Sequence, residues 1–401
     1  MSKLTIKIKL LIYSIFIPTA TAFQVGSLWL SPYRMILILT FIPSFTAVVG
    51  GRCLGKNKAD FYLILYAVWS VLSLGVNNDI SIAIESGGVL VLETLGAYCL
   101  VRYTLQSLGA IEATFKLLIK CIILMLLVTI PEMLFGFNWA LNLIYLIKGA
   151  GRFVNTGERL GLTRAYGTFD HAIINGVVSA SLYGVAWFYV LKRKGKTAVL
   201  IALAAITSMS SGAVASLMTQ TMVIVWENKT RNIKKRWLKL AYLILLAYFL
   251  IDLVSNRSGL KVIISYLTFS PATAYWRLVI WDNGIDNAIA NPFFGIGLND
   301  WVRPSWMSSG SMDNFWLVTM VKYGFVGFGF LVTCIYIIAS GLMNIKTADI
   351  RINRMRRAWL TGLLGLIISA CTVHYWNQAY IYFMFYLGLG AALLNVAKQD
   401  G

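Results

Sequence analysis

Residues that carry chemistry are scarce in this chain. Two histidines, five cysteines and 16 acidic residues are spread over 401 positions. No HExxH, no Cys/His cluster and no Gly-x-Ser-x-Gly elbow occurs, so metal hydrolysis and serine-nucleophile chemistry have no support. The cysteines (Cys53, Cys99, Cys121, Cys334, Cys371) are widely separated and mostly lie inside apolar runs. They offer neither zinc spacing nor a disulfide framework and read as packing residues. There is no repeat of fixed period, no low-complexity tract and no Gly-rich phosphate loop. "GIGLND" at 295–300 leaves the dinucleotide fingerprint incomplete, so no nucleotide site is visible.

Charge is scarce too, at 13% of residues, whereas 58% are hydrophobic and the mean hydropathy is +0.72. That composition belongs to an integral membrane protein rather than a soluble one. A spanning helix needs roughly 17–25 mostly apolar residues. Segments near 7–25, 33–50, 60–76, 80–101, 114–136, 170–191, 196–210, 211–226, 237–255, 314–343, 357–374 and 376–396 approach it. The expectation is an all-α polytopic membrane protein of about twelve transmembrane helices forming one domain over 1–401. The first run, ending in "TATAF", could be a signal peptide, but the similar runs that follow favour a first transmembrane helix. Between 196 and 226, "TSMSSGAVAS" must hold a very tight turn.

A formal net charge of +19 would suggest nucleic acid in a soluble protein. In a membrane protein the placement of the basic residues is read first. Most sit in alternate connections, including "KRKGK", "NKTRNIKKRWLK" and "NIKTADIRINRMRR", which puts those connections and both termini in the cytoplasm and calls for no nucleic-acid partner. Two long outer segments oppose the bias: 137–169 with Lys148, Arg152, Arg159 and Arg164, and 256–313 with Arg257, Lys261, Arg277 and Arg303. Solvated surface arginines would explain these. So would an anionic ligand, since the planar guanidinium fork suits diphosphate oxygens.

Within 256–313, apolar positions recur at helical spacing near 272–290, and Trp276 and Trp281 suit a helix lying at the membrane interface. "RAYGTFDHAIINGVVSA" at 164–180 leads into a helix that Thr168 or Asp170 could cap, with His171 beside it. Asp313, in "SGSMDNFWLVTMVKYGFVGF" (309–328), lies where a helix N-cap belongs and equally where a general base could stand. Lys322 follows nine residues on, about 13 Å along a helix rising ~1.5 Å per residue. It is placed to face the bundle interior or to snorkel outward. Gly324, Gly327 and Gly329 would permit close helix contact.

The ordered series "RAYGTFDH", "MSSGAVAS", "YWRLVIWDNGIDNAIANPFFGIG" and "MDNFWLVTMVKYGFVGF" resembles the O-antigen polymerase and ligase superfamily of bacterial envelope glycosyltransferases over most of 164–330. The first five helices resemble it only in hydropathy. The resemblance implies transfer of a saccharide from polyprenyl diphosphate to an acceptor sugar hydroxyl at the outer face of the inner membrane, without metal, nucleotide sugar or other cofactor. Arg277 and Arg164 match the arginines that would hold the diphosphate. Asp313 matches the polar residue before Asn314 that is usually histidine in ligases, a departure that favours a polymerase. "SSGA" replaces a commoner Ser-Arg-Gly and leaves one phosphate contact missing.

The expected site is therefore Asp313 and Arg277 as catalytic residues, with Arg164, Asp170, His171, Trp281, Arg303, Asn314 and Lys322 around the substrate. Partners would be lipid-linked oligosaccharides as donor and acceptor, membrane lipid and a chain-length regulator. Rival readings are a ligase delivering polysaccharide to lipid A-core, and a transporter or flippase for an anionic lipid or solute. A transporter should show broken helices near the midplane, and none is evident in the sequence.

Overall fold

The computed structural model describes residues 4–26, 28–148, 157–189, 194–256, 258–266 and 271–399. Arg152, Arg257 and Lys3 lie outside the described residues, as do part of the "KRKGK" run and the side chain of Lys148. The described chain is mostly helical, because backbone in hydrocarbon must satisfy its own hydrogen bonds.

In order come α1 (Ile6–Ile15), a β1–β2 hairpin (Phe23–Val25, Leu28–Leu30), α2 (Pro32–Val49) and α3 (Lys58–Asn77). Next, α4 (Ile80–Val91) continues through a π-turn (Leu92–Gly96) into α5 (Ala97–Thr104), followed by α6 (Leu108–Phe135) and α7 (Trp139–Lys148). A second hairpin, β3 (Glu158–Arg159) with β4 (Leu162–Thr163), precedes α8 (Ala172–Ser181), α9 (Tyr183–Tyr189), α10 (Lys194–Thr207), α11 (Ser211–Lys229) and α12 (Arg236–Val254). The last are α13 (Gly259–Tyr266), α14 (Pro271–Ala290), α15 (Phe315–Asn344), α16 (Ile350–Ala370) and α17 (Asn377–Gln399).

Eight of the described helical rods are long and apolar enough to cross a membrane: α2, α3, α4–α5, α6, α8–α9, α12, α15 and α17. The other four expected segments are helical but fall short of that standard. The first stops at Ile15, where Pro18 and the β1–β2 hairpin take over. The 196–226 stretch divides into α10 and α11 around Ser208–Ser210, with Met209 in the left-handed region at φ 46°. α16 carries Arg351, Arg354, Arg356 and Arg357 in its first turns.

α17 is the post around which the bundle is built, buried from Gln378 to Ala397. Glycines let it pass close to its neighbours: Gly388 lies against the Tyr98 backbone and Gly390 against the Trp359 ring. Trp359 and Tyr386 lock α16 to α17 reciprocally. The indole nitrogen donates to the Tyr386 carbonyl at 2.9 Å, and the phenol donates to the Trp359 carbonyl at 3.0 Å.

α15 is not continuous, which corrects the expectation of unbroken helices. Gly324 has φ 70° and ψ 175° and divides it in two. The segment 292–297, "PFFGIG", fills the gap and satisfies the freed backbone groups. Phe325 N–H donates to the Pro292 carbonyl at 2.8 Å, Ile296 N–H to Val321 at 2.9 Å and Gly297 N–H to Lys322 at 3.0 Å. A Cβ on Gly324 would strike the Phe293 carbonyl, so glycine is required there by both sterics and φ. From α3, the Trp69 indole donates to the Tyr323 carbonyl at 3.1 Å. Irregular backbone at membrane depth is tolerated where protein buries it.

Candidate active site

Three arginines from separate stretches share one electrostatic neighbourhood. Arg159 is placed by the β3–β4 hairpin, Arg164 by the irregular segment just after it, and Arg277 by the first half of α14. Hydrogen bonds position this part of the chain: Ala165 N–H donates to the Thr207 carbonyl at 2.9 Å, and Asn175 to the Ala165 carbonyl at 3.0 Å. Arg159 reaches the Met209 carbonyl at 2.9 Å, in the α10–α11 turn. Arg277 donates to the Ser211 hydroxyl at 3.1 Å and to the Thr372 carbonyl at 3.3 Å.

Burial pushes the Arg277 guanidinium down to about 10, with Asp313 raising it and Arg159 lowering it further. Arg164 is also brought to about 10, first by burial and then by Arg159, with Asp313 opposing. Both remain cationic at neutral pH, and their depressed values record positive charge held in a poorly solvated place. Such a place favours an anion with several oxygens.

Asp313 is the carboxylate that acts on both Arg164 and Arg277. It does not cap α15, which corrects one of its two sequence readings. The N-cap is Asn314, whose side chain accepts from Leu317 N–H at 3.1 Å. Phe315 N–H donates to the Val373 carbonyl at 3.0 Å, fixing the helix start one residue later than Asp313 would require. Asp313 is left exposed, with the Ser311 hydroxyl donating to it at 3.3 Å.

The remaining expected site residues divide. His171, not Thr168 or Asp170, caps α8: its Nδ1 accepts from Ile173 N–H at 3.1 Å. Burial and Arg164 bring this imidazole down to about 4, so it is neutral at pH 7 and stands beside the arginines. Asp170 ties three segments together, accepting from the Thr19 hydroxyl at 2.6 Å, Thr19 N–H at 3.1 Å and Asn377 at 2.9 Å. Arg303 folds its own loop through Asp300, the Met307 carbonyl and the Trp301 ring, and it holds the Asp300 carboxyl below its usual range. Trp281 packs among Ile280, Leu317 and Val321 between α14 and α15. Asn314 is the cap just described.

Lys322 does not snorkel away. It lines two adjoining cavities of about 240 and 300 Å³ that also share Val318 and His374.

Arg159 entered the sequence reading only as one of several loop arginines, and Ser211 only as part of "SSGA". The hairpin that turns Arg159 back toward Met209 carries no signal beyond "GERLG". Ser211 stands in the stretch where the family's commoner arginine is absent, and its hydroxyl holds Arg277 instead.

Fold and site together define a polytopic α-helical membrane protein with a basic, partly buried site at one end of its bundle. Residues 197–332 match the family model described as O-antigen ligase, which bears out the resemblance to the O-antigen polymerase and ligase superfamily. The matched third of the chain contains Ser211, Arg277, Asp313, Asn314 and Lys322; Arg159, Arg164, His171 and His374 lie outside it. The match points to a membrane glycosyltransferase-like enzyme of the O-antigen polymerase or ligase type, and it does not separate the two. A comparison with curated proteins finds no match.

Proposed function

We propose that the protein polymerises polyprenyl-diphosphate-linked oligosaccharide repeat units into a surface polysaccharide at the outer face of a bacterial inner membrane. The observation that carries this reading is that Arg164 and Arg277 each lie under the influence of both Arg159 and Asp313, a carboxylate freed from capping by Asn314. Arg164 and Arg277 would hold the diphosphate of the donor. As the bond from the anomeric carbon to the diphosphate oxygen breaks, its electron pair passes to the leaving group. Fixed guanidinium groups stabilise that developing charge most where water is scarce. The acceptor sugar hydroxyl attacks the anomeric carbon and gives its proton to the Asp313 carboxylate. No nucleotide sugar enters this scheme.

Aspartate in place of the histidine usual in ligases favours a polymerase. The break at Gly324 is a feature a carrier would use, but the gap is filled by residues 292–297 of the same chain, which suits a cavity wall better than a transport path. The test is purified protein in vesicles supplied with lipid-linked repeat units, with and without a lipid A-core acceptor. A ladder of lengthened lipid-linked product without lipid A-core is expected. Transfer only when lipid A-core is present would make the enzyme a ligase.

A further inference from the structure

The arginine site and the cavities at the helix break are linked through neighbouring residues of the chain. Three consecutive residues make the connection: the Thr372 carbonyl accepts from Arg277, the Val373 carbonyl accepts from the first residue of α15, and His374 lines both cavities. Gly310, Ser311 and Met312, the residues just before Asp313, form part of the second cavity's wall. Asp313 follows these wall residues directly in the chain and acts on Arg164 and Arg277.

The lining has a definite chemistry. Aromatic surfaces come from Trp376, Tyr323 and Phe315, and hydroxyl and amide groups from Ser86, Thr319 and Asn377. Both carboxylates that line the cavities are already engaged by arginines, Glu93 by Arg34 at 2.7 Å and Asp300 by Arg303. The Lys322 ammonium is therefore the net charge of the space. His374 Nδ1 is buried and has no hydrogen-bond partner among the described residues. Burial, with Lys322 nearby, takes this imidazole to about 4, so it is neutral at pH 7 and can accept from a hydroxyl group. A buried polar atom without a partner is costly unless a ligand or water completes it. The two volumes together reach the size of small-molecule sites, roughly 300–1,000 Å³.

We infer that these adjoining cavities form a subsite for the acceptor saccharide, selective for a sugar bearing a carboxylate. Lys322 binds the carboxylate, His374 accepts a sugar hydroxyl, and the aromatic rings cover the apolar faces of the sugar. This deepens the polymerase reading, since it places the acceptor on the Asp313 side of the donor diphosphate. A lone phosphate fits less well, because a wall of rings offers it nothing.

The experiment measures binding of methyl glucuronide and methyl glucoside, with inorganic phosphate as competitor, to the purified full chain in lipid nanodiscs by saturation-transfer NMR. The glucuronide should bind about tenfold or more tightly than the glucoside, the difference expected of a charge-assisted hydrogen bond. Lys322→Gln should bring the two within about twofold. His374→Phe should weaken both sugars and keep their ratio, which tests the site even if the Lys322 variant fails to insert. Arg277→Lys should leave the ratio unchanged, so that this inference and the diphosphate role can fail separately. Equal binding of the two sugars, a preference that survives Lys322→Gln, or displacement of the glucuronide by equimolar phosphate would each overturn the inference.

Discussion

The two ends of the bundle use arginine differently. At one end the chain supplies the counter-charges: Arg102 meets Asp60 at 2.9 Å, Arg351 meets Glu112 at 3.0 Å, and Glu227 receives Arg357 at 3.1 Å and Arg236 at 3.6 Å. Arg102 is fully enclosed and also donates to the Cys53 carbonyl at 3.2 Å, while Tyr98 donates to Asp60 at 2.6 Å. At the other end Arg34 and Arg303 are likewise paired, with Glu93 and Asp300, but Arg277 is aimed by a serine hydroxyl and a backbone carbonyl, and Arg159 by a carbonyl. Neutral acceptors fix a guanidinium without cancelling its charge. The first arrangement builds structure; the second orients Arg277 and Arg159 through neutral acceptors, with Asp313 the carboxylate that acts on Arg277.

Substitutions can break this contrast. The largest effect is expected at Asp313. Asp313→Asn should lower glycosyl transfer by about 10²–10⁴-fold, the usual worth of a general base, with folding unchanged because Asn314 keeps the cap. Polymer length from purified protein checks this, and full-length product would return Asp313 to a surface role.

Next comes Arg102→Ala at the opposite end. Leaving Asp60 buried without its partner should cost about 3–5 kcal/mol of stability, seen as loss of folded protein in detergent melts. Any protein that does fold should retain its specific activity. A variant as stable as the wild type would remove the structural reading of that end.

Asn314→Ala should have a smaller and different consequence, lowering stability by about 0.5–2 kcal/mol through loss of the α15 cap. Asn314→Asp, which can also cap, should restore the melting temperature. Failure of that rescue would assign Asn314 more than a capping role.

A further test concerns pH. His171 and His374 are both held near 4, below the unfolded value of about 6.5. The unfolded chain therefore binds more protons between those values, and stability should fall as pH drops from about 6.5 toward 4 while staying flat above it. His374→Gln should make that acid slope shallower. A slope unchanged in the variant would show that His374 does not titrate in this way.

Much of the helical plan was legible, because run length and apolar character alone force helix in a membrane, and all twelve apolar stretches are at least partly helical. The break in α15 was not. A glycine in an apolar run ordinarily signals close helix contact, and nothing local to Gly324 reports that residues 292–297 dock there from outside the helix. The cap was missed for a subtler reason. Asp313 and Asn314 are both good caps side by side, and the choice is made by Val373, a residue far along the chain whose carbonyl takes Phe315 N–H. Arg164 and Arg277 were readable as a pair because each stands beside a motif, whereas Arg159 depends on a hairpin turn and His374 on a cavity that exists only once α15 is broken.

The central claim is that the site-end arginines hold the leaving diphosphate, and Arg277→Lys tests it most directly, since lysine keeps the charge and loses the two-pronged fork. The measurement is polymer yield from lipid-linked repeat units in vesicles, read beside binding of the lipid diphosphate and a melting curve. The account predicts a fall of about 10²–10³-fold in joining, weaker diphosphate binding and an unchanged melting temperature. Full-length polymer at the normal rate from the folded variant would contradict it.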